Sequence, residues 1–432
     1  MNNLAVVFCA IVFMLPFSLR AEEVNLNLDE AVAIALRDNR DVLLKAEDVN
    51  KAKKKIAESY GALWPSLNFL GGWTDTKGLT QKDLAVSTTQ TTVRQILYQG
   101  GSLINTIKYN QSGMEVAQAL LDQAKLETVL TVKKAFYTFI LAGDFVALNK
   151  AILDNTKEHL NFLKARYEFG QASASEILKI EESLSSVSQA YDISLNQLAA
   201  AEALIRNLLY LEEGVKIRSD SSLEYEPAEI AYDEAFLKAM RSRPEIRQYE
   251  AQSQQAKKAI EIAKAGNRPT IFASWEYFSR NSAAIASAGT ITGATGSGGS
   301  RAWNDYNTLG FTFSWPVFDG WATKAKVEQA IIDLKEVQLL KEKAVKDISL
   351  ELKNSYLGLK NAISGLKTAE SNIKLYKDSL AVFKQKKDQG IASFLDFNDA
   401  DLQYNVSMFN KKQAVYDYIT AKANFDKATG GF

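Results

Sequence analysis

The strongest constraint on this chain is an internal duplication of its sequence. Pro65 reappears as Pro269 at an offset of 204 residues, and Gly170 reappears as Gly390 at an offset of 220. Chance similarity would not keep one offset over roughly a hundred residues, so we expect two structural repeats. Other pairs at these two offsets are Glu30 with Glu234, Lys53 with Lys257, Phe136 with Tyr356, Ser173 with Ser393 and Glu176 with Asp396.

The two offsets differ by 16 residues, which places an insertion between Pro269 and Phe318. Residues 281–300 contain mostly Asn, Ser, Ala, Gly and Thr and no charged residue, a composition that predicts a flexible loop. Outside this insertion, the matching residues occur in the same order in both halves of the sequence. We therefore divide the chain into a first repeat at 22–212, a linker at 213–230 and a second repeat at 231–432.

Residues 1–21 resemble a secretory signal peptide. The apolar run at 4–17 is too short to span a bilayer, and a cleavage site follows Ala21. The first three residues lack Lys and Arg, so an uncleaved amphipathic anchor is the alternative. Cys9, the sole cysteine, lies in this segment, and we expect no disulfide or redox site in the mature protein.

Each repeat contains two runs with the pattern of β-strands, at 66–74 and 91–98 in the first and at 270–279 and 307–318 in the second. Lengths of this order suit tilted transmembrane strands, which need about 9–11 residues. The last run is the clearest, because its apolar residues recur with a period of two. These residues are Leu309, Phe311, Phe313, Trp315 and Val317.

The tryptophans are confined to these runs and their flanks. Tryptophan favours the interface between membrane and water, where its apolar ring and its polar N–H both find suitable surroundings. The alternative is a water-soluble sandwich with a tryptophan-rich core. The membrane-interface candidates are Trp64, Trp73, Trp275, Trp303, Trp315 and Trp321.

Long helices are predicted at 102–167 and 322–387, where no proline occurs. With a rise of 1.5 Å per residue, each would reach roughly 100 Å. Each ends at a turn whose glycine can adopt a left-handed conformation, and a return helix follows at 174–211 and 394–428. Residues 28–63 also carry a helical apolar pattern, which stops before Pro65.

The strands impose a requirement on assembly. One chain provides four strands, whereas closed transmembrane barrels start at about eight and an open edge cannot face lipid. No stretch of about 18 apolar residues follows the signal segment, so insertion would have to use the strands. If they are transmembrane, two, three or four chains must share one barrel, and the sequence pattern does not choose among these numbers.

The sequence contains no recognisable set of catalytic residues. His159 is the single histidine, and we interpret it as a surface or helix-packing residue, since no catalytic triad, HExxH or CxxC motif accompanies it. We expect no catalytic residues, no metal site and no cofactor. Lys and Arg total 51, as do Asp and Glu, so the charge balance does not indicate a nucleic-acid partner.

Several short motifs occur in the duplicated order of these elements: 27–31, 35–36 and Asn39, Trp64-Pro65-Ser66, 315–320, and the two turns with Ser173 and Glu176 or Ser393 and Asp396. In these motifs and their order, the chain resembles the TolC family of outer-membrane efflux proteins along essentially the whole mature chain. The resemblance implies an α+β membrane protein: a homotrimer with a 12-stranded transmembrane β-barrel in outer-membrane lipid and a 12-helix barrel in the periplasm. It further implies a periplasmic adaptor and an inner-membrane pump as partners.

The resemblance also assigns sites. Gly170, Ser173, Gly390 and Ser393 would form periplasmic tips that contact the adaptor. Asp396 and Asp399 correspond to the family's carboxylate ring, which narrows the tunnel.

Alternatives exist for both carboxylates. Helix capping accounts equally for Asp396, and Asp399 could be a solvated acid. Where the best-known family member has its gate tyrosine and arginine, this chain has Lys387 and Ala392. That member's closing bonds therefore do not carry over.

The resulting hypothesis is a passive outer-membrane channel for efflux of small molecules or for type I secretion of proteins. The alternative is a periplasmic coiled-coil adaptor or scaffold without a pore, in which the strands would form a soluble domain.

Overall fold

The computed structural model describes residues 23–76, 84–212, 214–219, 223, 225, 231–282 and 302–431. The predicted signal peptide at 1–21 lies outside the described residues. So do most of the predicted loop at 281–300 and much of the predicted linker at 213–230.

The described residues form eight α-helices, a short 3-10 helix at Ala265–Asn267 and six strands. The helices are α1 (Leu28–Asp38), α2 (Arg40–Gly61), α3 (Ser102–Glu168), α4 (Ala174–Leu208), α5 (Tyr232–Ser242), α6 (Pro244–Lys264), α7 (Ala322–Asp388) and α8 (Phe394–Ala428). The strands are β1 (Glu23–Asn25), β2 (Ser66–Thr76), β3 (Leu84–Gln99), β4 (Lys216–Arg218), β5 (Thr270–Ser282) and β6 (Ala302–Ser314).

The helices follow the sequence pattern closely, with two differences. The helical pattern at 28–63 forms two helices, because the backbone of Asn39 is extended (ψ 125°) between α1 and α2. The first return helix ends at Leu208 instead of 211, and Tyr210 adopts a left-handed conformation (φ 54°). The long helices α3 and α7, of 67 residues each, lie within one residue of their predicted ends.

The strands differ from the predictions at several boundaries. Strand β2 extends to Thr76 instead of 74, and β5 extends to Ser282 instead of 279. Strand β3 begins at Leu84 and not at 91, because residues 87–92 are Ser, Thr and Gln without apolar alternation. The predicted strand at 307–318 was wrong at both ends: β6 begins at Ala302 and stops at Ser314. Pro316 has no N–H to donate to a ladder, and the Trp315 indole instead donates to the carbonyl of Asn267 at 3.2 Å.

Four of the strands form one antiparallel sheet in the order β2-β3-β5-β6. The central pairing, β3 with β5, joins the first repeat to the second. Strands β2 and β6 are the outer strands, and each pairs on one side only within the chain. The short strands β1 and β4 form a separate parallel pair.

The chain divides into two compact units that do not coincide with the two repeats. Of the described residues, the first contains those within 23–39, 128–225 and 359–423, and the second contains those within 40–127, 231–358 and 424–431. Each unit therefore combines segments of both repeats. Helices α3 and α7 contribute residues to both units, which explains why a division by sequence repeat does not describe the compact units.

The core of the first unit is apolar and centres on Phe136 of α3, whose side chain is 1% exposed. Small residues of α1 allow that helix to pack closely against α3. Leu209, next to the end of α4, and Ile217 of β4 complete the cluster. Its buried members are Leu26, Ala31, Ala35, Val132, Ala135, Phe136, Ile205, Leu209 and Ile217.

The second unit contains the sheet and an ion-pair network around the buried Arg243. Arg243, which is 4% exposed, contacts Glu351 at 2.6 Å, and Lys427 contacts Glu127 at 2.7 Å. The Arg243 side chain also donates to the carbonyl of Lys427 at 3.1 Å. These bonds hold the end of α8 against the start of α6 and the middle of α7.

We predict that Phe136→Ala lowers the free energy of unfolding by about 3–5 kcal/mol, because it leaves a cavity in the first unit's core. The measurement is denaturant unfolding in detergent, followed by the helical circular dichroism signal. Phe169→Ala is the matched control, since Phe169 is 79% exposed. Equal destabilisation by both substitutions would contradict the assigned core.

Candidate functional site

The four-stranded sheet has two chemically different faces. Its register places Leu67 opposite Val93, Val93 opposite Trp275, and Trp275 opposite Leu309. Side chains alternate between faces along each strand, so the odd-numbered residues of β2, β5 and β6 share one face with those of β3 as far as Gln95. The even-numbered residues share the other.

The odd-numbered face is mostly apolar, although it includes polar residues such as Thr89, Thr91 and Ser279. In the described strands its only charged residues are Asp75 and Asp305, both of which lie near the ends of the strands farthest from the helices. Phe311, at 73% exposed, shows that the chain itself leaves this surface uncovered. The apolar residues of this face are Leu67, Phe69, Trp73, Val93, Ile271, Ala273, Trp275, Tyr277, Leu309, Phe311 and Phe313.

The even-numbered face is predominantly polar. Hydroxyl, amide and charged side chains alternate with a few apolar ones such as Leu70 and Phe278. Its polar members include Ser66, Asn68, Thr88, Gln90, Thr92, Arg94, Ser274, Glu276, Arg280, Thr308 and Thr312. One apolar and one polar face are the arrangement of a transmembrane barrel strand, with lipid outside and water inside.

The structure places the predicted tryptophans as follows. Trp73 and Trp275 lie on the apolar face, and Trp303 lies opposite Asn281 in the register, close to the loop between β5 and β6. The other three flank the ends of strands that adjoin helices, and all are exposed. They are Trp64 (76%), Trp315 (55%) and Trp321 (67%).

The two helical turns have the same geometry. Gly170 and Gly390 both have φ 71°, a left-handed conformation that residues with a Cβ rarely adopt. The residue after each glycine donates its N–H back to the preceding helix at 2.8 Å, which closes the helix end. Phe169 and Ile391 are 79% and 72% exposed, so each turn carries an apolar side chain on its surface.

The serines of the turns begin the return helices. Ser173 accepts the N–H of Glu176, and the Glu176 carboxylate accepts the N–H of Ser173 at 2.7 Å. Ser393 and Asp396 make the same pair of bonds, with Asp396 accepting the N–H of Ser393 at 2.9 Å. In both turns the hydrogen bonds from serine lower the pKa of the carboxylic acid below its ordinary value.

Asp396 and Asp399 thus have different surroundings. Asp396 takes part in a helix cap, whereas Asp399 is exposed near His159 of α3. Burial lowers the pKa of His159, and the negative charge of Asp399 opposes that shift. These contacts leave the predicted gate role of both carboxylates a hypothesis.

Lys387 has a new partner in this chain. Its ammonium lies 4.1 Å from the ring centroid of Phe397, a cation–π distance that links the end of α7 to the start of α8. Ala392 is half-buried and has no polar side chain. Sequence reasoning had no signal for the contact with Phe397, because the pair depends on the geometry of the turn.

The sequence profile of outer membrane efflux proteins matches residues 31–209 and 237–431, which together make up most of the chain. The chain belongs to the outer membrane efflux protein family. No curated protein sequence gives a significant match.

Solved structures show the same fold at low sequence identity. The outer membrane channel CmeC of Campylobacter jejuni is 15% identical, with a TM-score of 0.75 over 100% of this chain and 94% of that one. The open state of the MtrE channel of Neisseria gonorrhoeae is 18% identical, with a TM-score of 0.73 over 94% and 89%. The outer membrane protein VceC of Vibrio cholerae is 13% identical, with a TM-score of 0.71 over 94% and 96%.

The predicted fold class and localisation are confirmed. The protein is an outer-membrane efflux channel of the TolC-like type, in which a β-barrel domain continues into a helical barrel in the periplasm. The family consists of channels and not of enzymes, and the alternative of a poreless adaptor or scaffold is not favoured.

We predict that Asp396→Ala speeds amide exchange at residues 393–400, because the first turn of α8 loses its cap. Hydrogen exchange followed by mass spectrometry measures this. A carboxylate with a lowered pKa stabilises above its ordinary pKa and loses that effect as pH falls through the lowered value, so acid should loosen the wild-type turn in the same way. Asp399→Ala is the control, and equal effects of both would exclude a capping role specific to Asp396.

Proposed function

We propose that three copies of this chain close one 12-stranded barrel in the outer membrane and form a 12-helix periplasmic tunnel, through which cargo passes without energy input from the channel. The observation that carries this proposal is the four-stranded sheet with an exposed apolar face and two outer strands. In the described part of one chain, the apolar face is not covered, and β2 and β6 each have a partner strand on one side only.

The outer strands supply the argument for a shared barrel. In lipid, the free N–H and C=O groups of β2 and β6 would have no water to bond with, which costs several kcal/mol for each group. Pairing β2 of one copy with β6 of the next satisfies both edges and continues the alternation of faces around the ring. Three copies is the number that the family resemblance implies among those that the strand count allows.

The tips support a docking role. Phe169 and Ile391 expose apolar side chains next to turns that are rigid, because a glycine, a backbone bond and a serine cap define each one. We propose that a periplasmic adaptor binds these tips and connects them to an inner-membrane pump. The pump would supply both the energy and the choice of cargo, whether a small molecule or a secreted protein.

Asp396 and Asp399 support the proposal of a cation-selective constriction in the tunnel. Threefold symmetry would bring three copies each of Asp396 and Asp399 into one ring, and a ring of negative charge favours cations. Capping and gating are compatible for Asp396, because the cap bonds occupy part of the carboxylate and leave its charge in place.

We predict that Gly170→Leu and Gly390→Leu abolish export while trimers still form. Each Cβ would meet no atom within 4 Å, so the change acts through the left-handed backbone and through bulk on the tip surface. Export of a fluorescent dye from cells carrying the cognate adaptor and pump measures the effect. Gly358→Leu is the control, since this helical glycine also has free space around it. Normal export by both tip variants would exclude docking at the tips.

We predict that Asp396→Asn together with Asp399→Asn weakens block by divalent cations in planar bilayers, because the ring loses its charge. Ser393→Ala is the matched variant: it removes the capping hydroxyl and keeps both carboxylates, so block should persist. Unchanged block in the double variant would remove these carboxylates from the constriction. Lost block in Ser393→Ala alone would assign the effect to the cap instead.

A further inference from the structure

The polar face of the sheet carries a small and unbalanced set of charges. Among its positions in the described strands, only Arg94, Glu276 and Arg280 are charged. Arg94 lies in the row with Ser66, Ser274 and Gly310, nearer the helices than the row of Glu276. The surface that would line the barrel thus carries two guanidinium groups and one carboxylate per chain.

The surroundings of Arg94 leave its charge unneutralised. Its guanidinium lies 3.9 Å from the ring centroid of Phe272, a diagonal neighbour on the same face, and the side chain remains exposed. Its direct cross-strand neighbours are serines, which are too short to cover it. Within the described part of the chain, no carboxylate lies within ion-pair distance of it.

The Glu276 carboxylate is hydrogen-bonded to a residue other than Arg94. Its carboxylate accepts a hydrogen bond from the side-chain amide of Gln90, on the side of the row away from Arg94. An amide is neutral, so this bond positions the carboxylate without cancelling its charge. Arg280 lies farther along β5, about 20 Å from the row of Arg94 when measured along the strand.

We propose that Arg94, supported by Phe272, forms a ring of positive charge inside the shared barrel and makes this part of the channel favour anionic solutes. The inference rests on the proposed function, since one chain provides one arginine and a ring needs several copies. Charge in a narrow pore with low-dielectric walls acts strongly on passing ions. The barrel would thus oppose the preference for cations at the carboxylate tips, and an anionic cargo would meet a favourable surface after it passed them.

The test is the reversal potential of purified protein in planar bilayers under a potassium chloride gradient. Arg94→Gln should lower the ratio of chloride to potassium permeability about twofold or more, whereas Arg94→Lys should retain the wild-type ratio. Glu276→Gln should raise the ratio, which tests the same charge balance independently if Arg94→Gln assembles poorly. Arg241→Gln is the control, because it removes an exposed arginine from helix α5, outside the sheet.

The outcomes separate the two proposals. Wild-type protein that forms no oligomer and conducts no current would overturn the shared barrel, and this inference with it. Normal conductance with an unchanged permeability ratio in both Arg94→Gln and Glu276→Gln would overturn the charged ring alone.

Discussion

The structure depends on one constraint: backbone N–H and C=O groups in lipid must be hydrogen-bonded, and a sheet of four strands cannot bond all of its own. Strands β2 and β6 end the sheet on either side, and its odd-numbered face exposes Phe69, Phe311 and Phe313. In water, such a surface would aggregate. This is the reason for the proposal that the chain is one segment of a barrel that other copies complete.

The duplication explains how one chain meets this requirement. Each repeat provides two strands of the sheet, one long helix and one return helix, and the β3–β5 pairing keeps the alternation of faces between the repeats as far as Gln95. The same repetition produces two tips with matching glycine conformations and matching serine caps. The tips differ in the capping carboxylate, which is Glu176 in the first and Asp396 in the second.

Much of this fold could be predicted from sequence. The absence of proline and the capping residues were sufficient to place α3 and α7 within one residue, because helix signals are local. Strand ends were harder to predict: Pro316 stops a ladder although the aromatic alternation continues past it, and residues 87–92 of β3 have no apolar alternation. Neither error affects the number of strands.

The candidate sites were less accessible to sequence reasoning. The turns with Gly170 and Gly390 were visible as a repeated motif, but the bond between Asp396 and Ser393 and the contact of Lys387 with Phe397 require coordinates. The charged polar face was missed altogether. Arg94, Phe272 and Glu276 come from two strands far apart in sequence, and only the register shows that they share a face.

The most direct test of the shared barrel is disulfide crosslinking between the outer strands of neighbouring copies. In a Cys9→Ser background, one cysteine at Leu70 of β2 would be paired in turn with single cysteines along β6. Some of these pairs should give covalent dimers and trimers on a non-reducing gel that disappear with reductant. Monomers alone at every position, in protein that conducts in bilayers, would contradict the account.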